Sequence, residues 1–268
     1  MKTLREVMSD GARRADFILQ ELRQHGRVSA EDLSLKLGVN SSTIRRDLER
    51  LEQQNFLRRI HGGAVPVDTL SYSTYAYELT FQKNMGKQLE EKTAIALAAL
   101  RFIEDGDTIA ISPGTTTTHL ARSIRHSQLQ DLTVITNALN IAMELSGMPG
   151  INLTLIGGLL LPDFFALVGP SAEQSLSQMY VTKAFVGVTG LHPEYGLTGP
   201  NQLEVLTHRV TLQRAQQTFV LADHTKIGRV ALHSIAPISA VHTLVTDTQA
   251  SPELLTQLKG LGIDVCEA

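Results

Sequence analysis

A single cysteine, Cys266, stands in the 268 residues, so the chain forms no internal disulfide and carries no multi-cysteine metal site. Its nine histidines are scattered, with no two of them four residues apart. No metal site is expected, and no cofactor. No apolar stretch approaches the roughly 18 to 20 residues of a membrane span. The opening "MKTLREVMSDGARR" has no apolar signal core. These absences point away from a membrane partner and from export, and toward a cytoplasmic protein. Neither G-x-G-x-x-G nor G-x-x-x-x-G-K-[ST] occurs, so a dinucleotide or nucleoside triphosphate site has no motif behind it.

The chain is long enough for two domains, one of them with a substantial core. Its 43% hydrophobic and 19% charged content is ordinary for a soluble globular protein. The net charge of −3 hides an asymmetry. Residues 1–66 hold 12 of the 24 Lys and Arg but only 9 of the 27 Asp and Glu, a balance of +3. The remainder holds 12 against 18, or −6. A basic head on an acidic body suggests a polyanion-binding module joined to something else.

Three helical patterns fill the head. The first covers residues 13–25 and ends at Gly26. The second covers 31–37, where Ser29 and Asp32 have capping-box spacing. Gly38-Val39 makes a tight turn. The third, "NSSTIRRDLERLEQQ", starts from Asn40 or Ser41 as N-cap and buries Ile44, Leu48 and Leu51 at i, i+4 and i+7. "FLRRIHGGAV" then alternates and turns at Gly62-Gly63, a small β-wing. Two short helices joined by a glycine turn match a helix-turn-helix. Ser41, Ser42, Thr43, Arg45 and Arg46 fall early on the third helix, where side chains reach base edges or phosphates of a double-stranded DNA operator. Arg58 and Arg59 on the wing would face the sugar-phosphate backbone. The plainer reading of Arg45-Arg46-Asp47 is a solvated helix face.

"STIRRDLERLEQQNFLRRIHGGAV" resembles the signature of the DeoR family of bacterial transcriptional regulators: T-I-R-R-D-L, then L-E, then R-x-H-G-G-A. Asn55 stands where that family usually has a glycine before the wing, and Asn40 where a small residue such as Ser is common. The resemblance puts the helix-turn-helix at about 28–47, inside a winged DNA-binding domain at 1–66.

Residues 67–88 read as a linker whose Tyr72, Tyr75, Tyr77 and Phe81 pack on one of the domains. From residue 89, strand and helix patterns alternate. The strands are expected at 108–111, 133–136, 153–156, 184–188, 218–222, 243–246 and 263–265. Helices are expected at 92–102, 138–145, 171–178 and 202–215, and another apolar-periodic segment opens at Leu120. This is an α/β domain with a largely parallel sheet, whose ligands sit at the carboxyl ends of the strands. Those ends carry "SPGTTTT", "TNALN", "GG", "GVTG" and "ADHTKIG". Such a rim of small, hydroxyl and amide groups, with Lys226 after a strand, suits a polyhydroxy compound with an anionic tail. The four threonines read equally as a helix cap.

"EEKTAIALAALRFIEDGDTIAISPGTT", "LTVITNALNIA", "LTLIGG", "VGPSAE" and "ADHTKIG" resemble, in order, the effector domain of the same family. The resemblance implies a fold similar to ribose-5-phosphate isomerase over 89–268, and a phosphorylated sugar as effector. By position, Gly114, Thr115 and Thr116 would hold the phosphate, and Thr136, Asn137, Gly157, Gly158 and Lys226 would line the rest of the pocket. Ser112-Pro113 departs from the family, which commonly has an acidic residue after the strand.

An isomerase needs a carboxylate base near its substrate. "GVTGLHPEYGLTG" carries only Glu194, far from the strand end, and "TNALN" carries no acid. Asp163 and Asp223 read as caps or surface groups, and His119 as solvated or helix-capping. A pocket that binds without turnover is therefore expected: a repressor of a sugar-metabolism operon, released by a sugar phosphate and acting as a dimer or tetramer. The alternative is a sugar-phosphate isomerase or deaminase with an accessory DNA-binding head.

Overall fold

The computed structural model describes residues 10–25, 27–53, 56–60, 62–66, 81 and 84–268. The chain divides into two units, Met1–Ser73 and Thr74–Ala268. Tyr72, Tyr75 and Tyr77 lie outside the described residues.

In the first unit, α1 (Asp10–His25), α2 (Ala30–Leu37) and α3 (Ser41–Gln53) enclose a small core. Ile18, Leu22, Leu33, Ile44, Leu48, Leu51 and Leu57 are buried together, so α3 presents one apolar face as its spacing requires. Truncating such a side chain to Ala costs about 2–5 kcal/mol. Ser29 caps α2, its hydroxyl accepting from the Glu31 and Asp32 amides, and Gly38 closes that helix in the left-handed conformation. Asn40 is the cap of α3: its Oδ1 accepts from the Ser42 amide at 3.0 Å, and Ser41 already belongs to the helix. Asp47 is buried, accepting from Arg14 Nε at 2.7 Å and Arg50 Nη2 at 3.3 Å. The run Arg45-Arg46-Asp47 is therefore not one solvated face.

The wing pairs β2 (Leu57–Ile60) with β3 (Gly63–Pro66), and β3 also pairs with β1 (Val28–Ser29). Two expectations change here. Val28 and Ser29, where the helix-turn-helix is expected to start, form a strand, and Gly63 pairs with Ile60, so it is not part of the turn. The cause is close approach: a Cβ on Gly63 would lie 2.0 Å from the Val28 carbonyl oxygen.

The second unit is built on seven strands in the order β15-β14-β12-β9-β4-β5-β6, every neighbouring pair parallel. They are β4 (Thr108–Ile111), β5 (Leu132–Thr136), β6 (Ile151–Leu155), β9 (Val181–Gly187), β12 (Ala215–Leu221), β14 (Thr243–Thr246) and β15 (Asp264–Glu267). Both faces of the sheet are covered, so alternate residues enter different cores. Ile109, Ile111, Phe185, Phe219 and Leu221 pack under α4 (Leu89–Leu100), α5 (Thr115–Arg125) and α6 (Leu139–Leu145). Ala110, Ala184, Val186 and Val220 face α7 (Pro170–Ser177), α8 (Gln202–Gln213) and α9 (Pro252–Gly260). The Phe185 and Phe219 rings stack with centroids 4.9 Å apart.

The chain runs from β4 to β5 and β6 on one side, then returns to add β9, β12, β14 and β15 on the other. The order therefore reverses between β4 and β9, and the crevice at their carboxyl ends is the natural ligand position of such a sheet. Two features were not legible in the strand pattern. One is the hairpin of β7 (Leu159–Leu161) and β8 (Ala166–Val168); the other is the antiparallel sheet of β10 (Gly190–His192), β11 (Gly196–Gly199) and β13 (His233–Ala236). Helix α5 also begins five residues before Leu120, because the threonines are its first turns.

Candidate functional site

Arg45 and Arg46 are exposed on the first turns of α3, beside exposed Ser42 and partly exposed Ser41 and Thr43. Arg58 is exposed on the wing. No carboxylate among the described residues lies within ion-pair distance of Arg45, Arg46 or Arg58, whereas Arg59 meets Glu52 at 3.3 Å and Glu49 at 3.9 Å. Arg45 and Arg59 share a groove between α3 and the wing with Arg27, a cation that helical patterning did not single out. Three cations along one groove make a surface for a polyanion.

In the second unit a cavity of about 450 Å³ opens at the β4/β9 reversal. Pro113, Gly114, Thr115 and Thr116 line it after β4, Gly187, Val188 and Thr189 after β9, and Lys226 after β12. Ser112 ties the two strand ends together: its amide donates to the Phe185 carbonyl at 3.0 Å, and its hydroxyl accepts from the Gly187 amide at 3.0 Å. Gly114 starts α5 at φ +151°, where a Cβ would sit 3.0 Å from Thr117 Oγ1. No side chain caps this helix; the Thr117 and Thr118 hydroxyls donate back to the Gly114 carbonyl, at 3.0 and 2.6 Å. The first-turn N–H groups and the positive helix end thus face the cavity without a side-chain acceptor.

Phe81 lines the cavity as well and meets Phe165 edge-on at 5.0 Å. Lys87, Lys92 and Arg229 add to Lys226 on the wall. Lys92 is buried, its ammonium donating to the carbonyls of Asn84 and of Lys87, the latter at 2.7 Å. Burial pushes its pKa below the ordinary lysine value, against the opposing pull of Asp223. Asp223 itself is a cap, as read from the sequence, and accepts from the Thr225 amide at 3.0 Å.

Four residues expected at the pocket are not among those lining this cavity. Thr136 donates to the Ile111 carbonyl at 2.7 Å and accepts from the Ala138 amide. Asn137 donates through Nδ2 to the Leu167 carbonyl at 2.9 Å, fastening the β7–β8 hairpin region. Gly158 lies against the Val168 backbone, and Gly157 precedes it after β6. Two further expectations are corrected. His119 is buried within α5, neither solvated nor a cap, and burial lowers its pKa, with Arg122 and Lys92 adding to the effect. The cavity also contains acids: Asp163, in a short 3₁₀ turn, and Glu204 on α8.

Glu204 and His208 were missed because their signal is non-local: one acid and one histidine four apart among the other polar residues of the helix. Both are buried, at 8% and 4% exposure, and line the cavity. Desolvation raises the Glu204 carboxyl from 4.5 to about 7 and lowers the His208 imidazole from 6.5 to about 4.

A winged helix-turn-helix with a basic groove, and a separate α/β unit with an anion-ready cavity, together define a ligand-responsive DNA-binding regulator. The chain belongs to the DeoR family: residues 14–69 match the DeoR-like helix-turn-helix domain and residues 87–248 the DeoR C terminal sensor domain. It is 34% identical over 248 residues to the HTH-type transcriptional repressor GlcR of Bacillus subtilis (strain 168), covering 92% of this chain and 93% of that one. The putative aga operon transcriptional repressor of Escherichia coli O157:H7 is 31% identical, with 94% and 92% covered. The lactose phosphotransferase system repressor of Staphylococcus epidermidis is 32% identical, with 87% and 91% covered. A solved D-ribose-5-phosphate isomerase in complex with phospho-erythronic acid superposes with a TM-score of 0.40 at 18% identity, over 52% of this chain and 54% of that one. The family places the chain among transcriptional regulators and not among enzymes.

Proposed function

We propose that this regulator represses an operon for carbohydrate metabolism and leaves its operator when a phosphorylated sugar occupies the cavity. The observation that carries the reading is the cavity at the β4/β9 reversal, where the uncapped start of α5 meets Lys87, Lys92, Lys226 and Arg229. An uncapped helix start with cations around it suits a phosphate dianion. Gly114, Thr115, Thr116 and Lys226 are its proposed contacts. Thr136, Asn137, Gly157 and Gly158 support the neighbouring strand ends. Two relatives named as transcriptional repressors and one named as a lactose phosphotransferase system repressor support the same assignment. Ser41, Ser42, Thr43, Arg45, Arg46, Arg58 and Arg59 are the proposed DNA contacts. We further propose a dimer or tetramer, which would match paired operator half-sites.

The experiment is an operator titration with and without each of a panel of sugar phosphates. Release by one of them supports the reading, and indifference to all of them overturns it. The DNA half is tested by Arg45→Ala/Arg46→Ala. Each lost phosphate contact should reduce the log–log salt slope of binding by about one. Unchanged affinity and slope, with the far-UV spectrum intact, would remove these arginines from the interface.

A further inference from the structure

Helix α8 treats its buried polar side chains in two ways. Thr207 and Thr211 donate to the carbonyls four residues back, at 3.0 and 3.1 Å. The exposed Arg209 is paired as well, donating to the carbonyls of Ile235 and Ser234 at 3.1 and 2.8 Å. Glu204 Oε2 and His208 Nε2 are buried and find no partner among the described residues, although both residues line the cavity. Four residues apart, they share one face of the helix. A buried polar atom left unpaired is destabilising. His119 Nε2, Asn140 Oδ1 and Thr246 Oγ1 are likewise unpaired, but only Glu204 and His208 belong to residues that line the cavity, where a ligand could complete them.

We propose that Glu204 and His208 read the hydroxyl groups of the ligand, so that the cavity takes a polyhydroxylated phosphate and rejects compounds lacking hydroxyls opposite this pair. The inference rests on the phosphate reading above and adds the groups that discriminate among phosphate compounds. The chemistry is suited to it. A protonated carboxyl offers one donor and free acceptor positions, and a neutral imidazole offers one of each, so a hydroxyl can donate to one and accept from the other. Burial keeps the His208 imidazole neutral at pH 7 and raises the Glu204 carboxyl to about 7, so that its protonated form is populated there. A pocket built to hydrogen-bond a hydroxyl rejects the analogue without it strongly, because its own polar atoms are then left bare. The threonine cradle, by contrast, contacts only the phosphate common to all such compounds.

The test is a thermal-shift series on the full chain with inorganic phosphate, D-ribose 5-phosphate, D-fructose 6-phosphate, D-glucose 6-phosphate and D-sorbitol 6-phosphate. At least one sugar phosphate should protect the parent more than inorganic phosphate does. In Glu204→Leu and His208→Leu that extra protection should vanish, with affinity for the sugar phosphate falling about a hundredfold or more. Protection by inorganic phosphate should remain. Glu204→Gln, which keeps the shape and both hydrogen-bonding roles, should retain most of the sugar selectivity. Leucine variants that keep the extra protection overturn the proposal and leave the phosphate reading standing. If no phosphate protects the parent but unphosphorylated D-sorbitol does, and Glu204→Leu abolishes that, the pair reads hydroxyls and the phosphate reading falls. A parent protected by none of these compounds overturns both.

Discussion

A Thr115→Glu variant is expected to bind operator as the parent does and to remain bound when the releasing sugar phosphate is added. Thr115 lies at the first position of α5 on the cavity wall, where the ligand's phosphate is proposed to sit. A carboxylate there faces a like charge at about 4 Å. At an effective dielectric constant near 20, that repulsion is about 4 kcal/mol per unit charge. A penalty of that size weakens binding by roughly a thousandfold. The fold should survive, because Thr115 is only partly buried at the rim of the sheet. Paired operator titrations on parent and variant, with and without ligand, give the answer. Release of both at the same ligand concentration would show that the phosphate is held elsewhere.

The second large effect is a pH dependence that the parent conceals. Glu204 titrates near 7 in the folded chain against 4.5 ordinarily, so between those values the folded state holds a proton that the unfolded state has lost. Its contribution is intact below pH 4.5 and is lost as pH rises through 7. His208 titrates near 4 against 6.5 ordinarily, so its contribution runs the other way: absent below pH 4 and complete above 6.5. Each shift corresponds to roughly 3 kcal/mol at 1.36 kcal/mol per pH unit. From pH 4.5 to 6.5 the two slopes oppose each other, and the parent's profile from this pair is flat.

Single variants separate the two slopes. Relative to the parent, His208→Leu should lose roughly 3 kcal/mol of stability between pH 4 and 6.5, where the His208 contribution would have risen. Glu204→Gln should gain a similar amount on the parent between pH 4.5 and 7, where the Glu204 contribution would have fallen. The other charged groups of the cavity, Lys87, Lys92, Asp163, Lys226 and Arg229, are common to all three proteins and largely cancel in the differences. Denaturant unfolding across pH 4 to 8 measures this. Three parallel profiles would mean that neither group is titrating as its burial requires.

The head was legible because its signals are local. A cap, a glycine turn and three apolar positions at helical spacing fall within a few residues of one another, and each is read in the structure where its chemistry demanded. The wing turn shifted by one residue because its cause is the Val28 carbonyl, more than thirty positions away. The core strands were legible for a similar reason: a parallel strand buried on both faces reads as a short apolar run. The β10-β11-β13 sheet was not, since "GLH" and "GLTG" have too few apolar residues to form a pattern. Helix α5 was placed late because threonine has weak helix propensity, and only the packing of Thr116, Thr117 and Thr118 against the domain carries the helix back to Thr115.

What the sequence by itself determined is therefore what is settled between near neighbours: helix faces, caps, most turns, the identity of the core strands and the exposed arginines of α3 and the wing. It also placed hydroxyl groups and glycines at strand ends. Which of those ends share a cavity depends on the order of the strands in the sheet, and periodicity along the chain carries no information about that order. Only the tertiary structure sets β4 beside β9, gives Thr136 and Asn137 to backbone hydrogen bonds, and brings Lys92, Glu204 and His208 to one cavity. Local patterns see each of those three as one more polar residue on a helix. Burial sets them apart, because water's withdrawal shifts the protonation of all three and leaves Glu204 Oε2 and His208 Nε2 without a partner among the described residues.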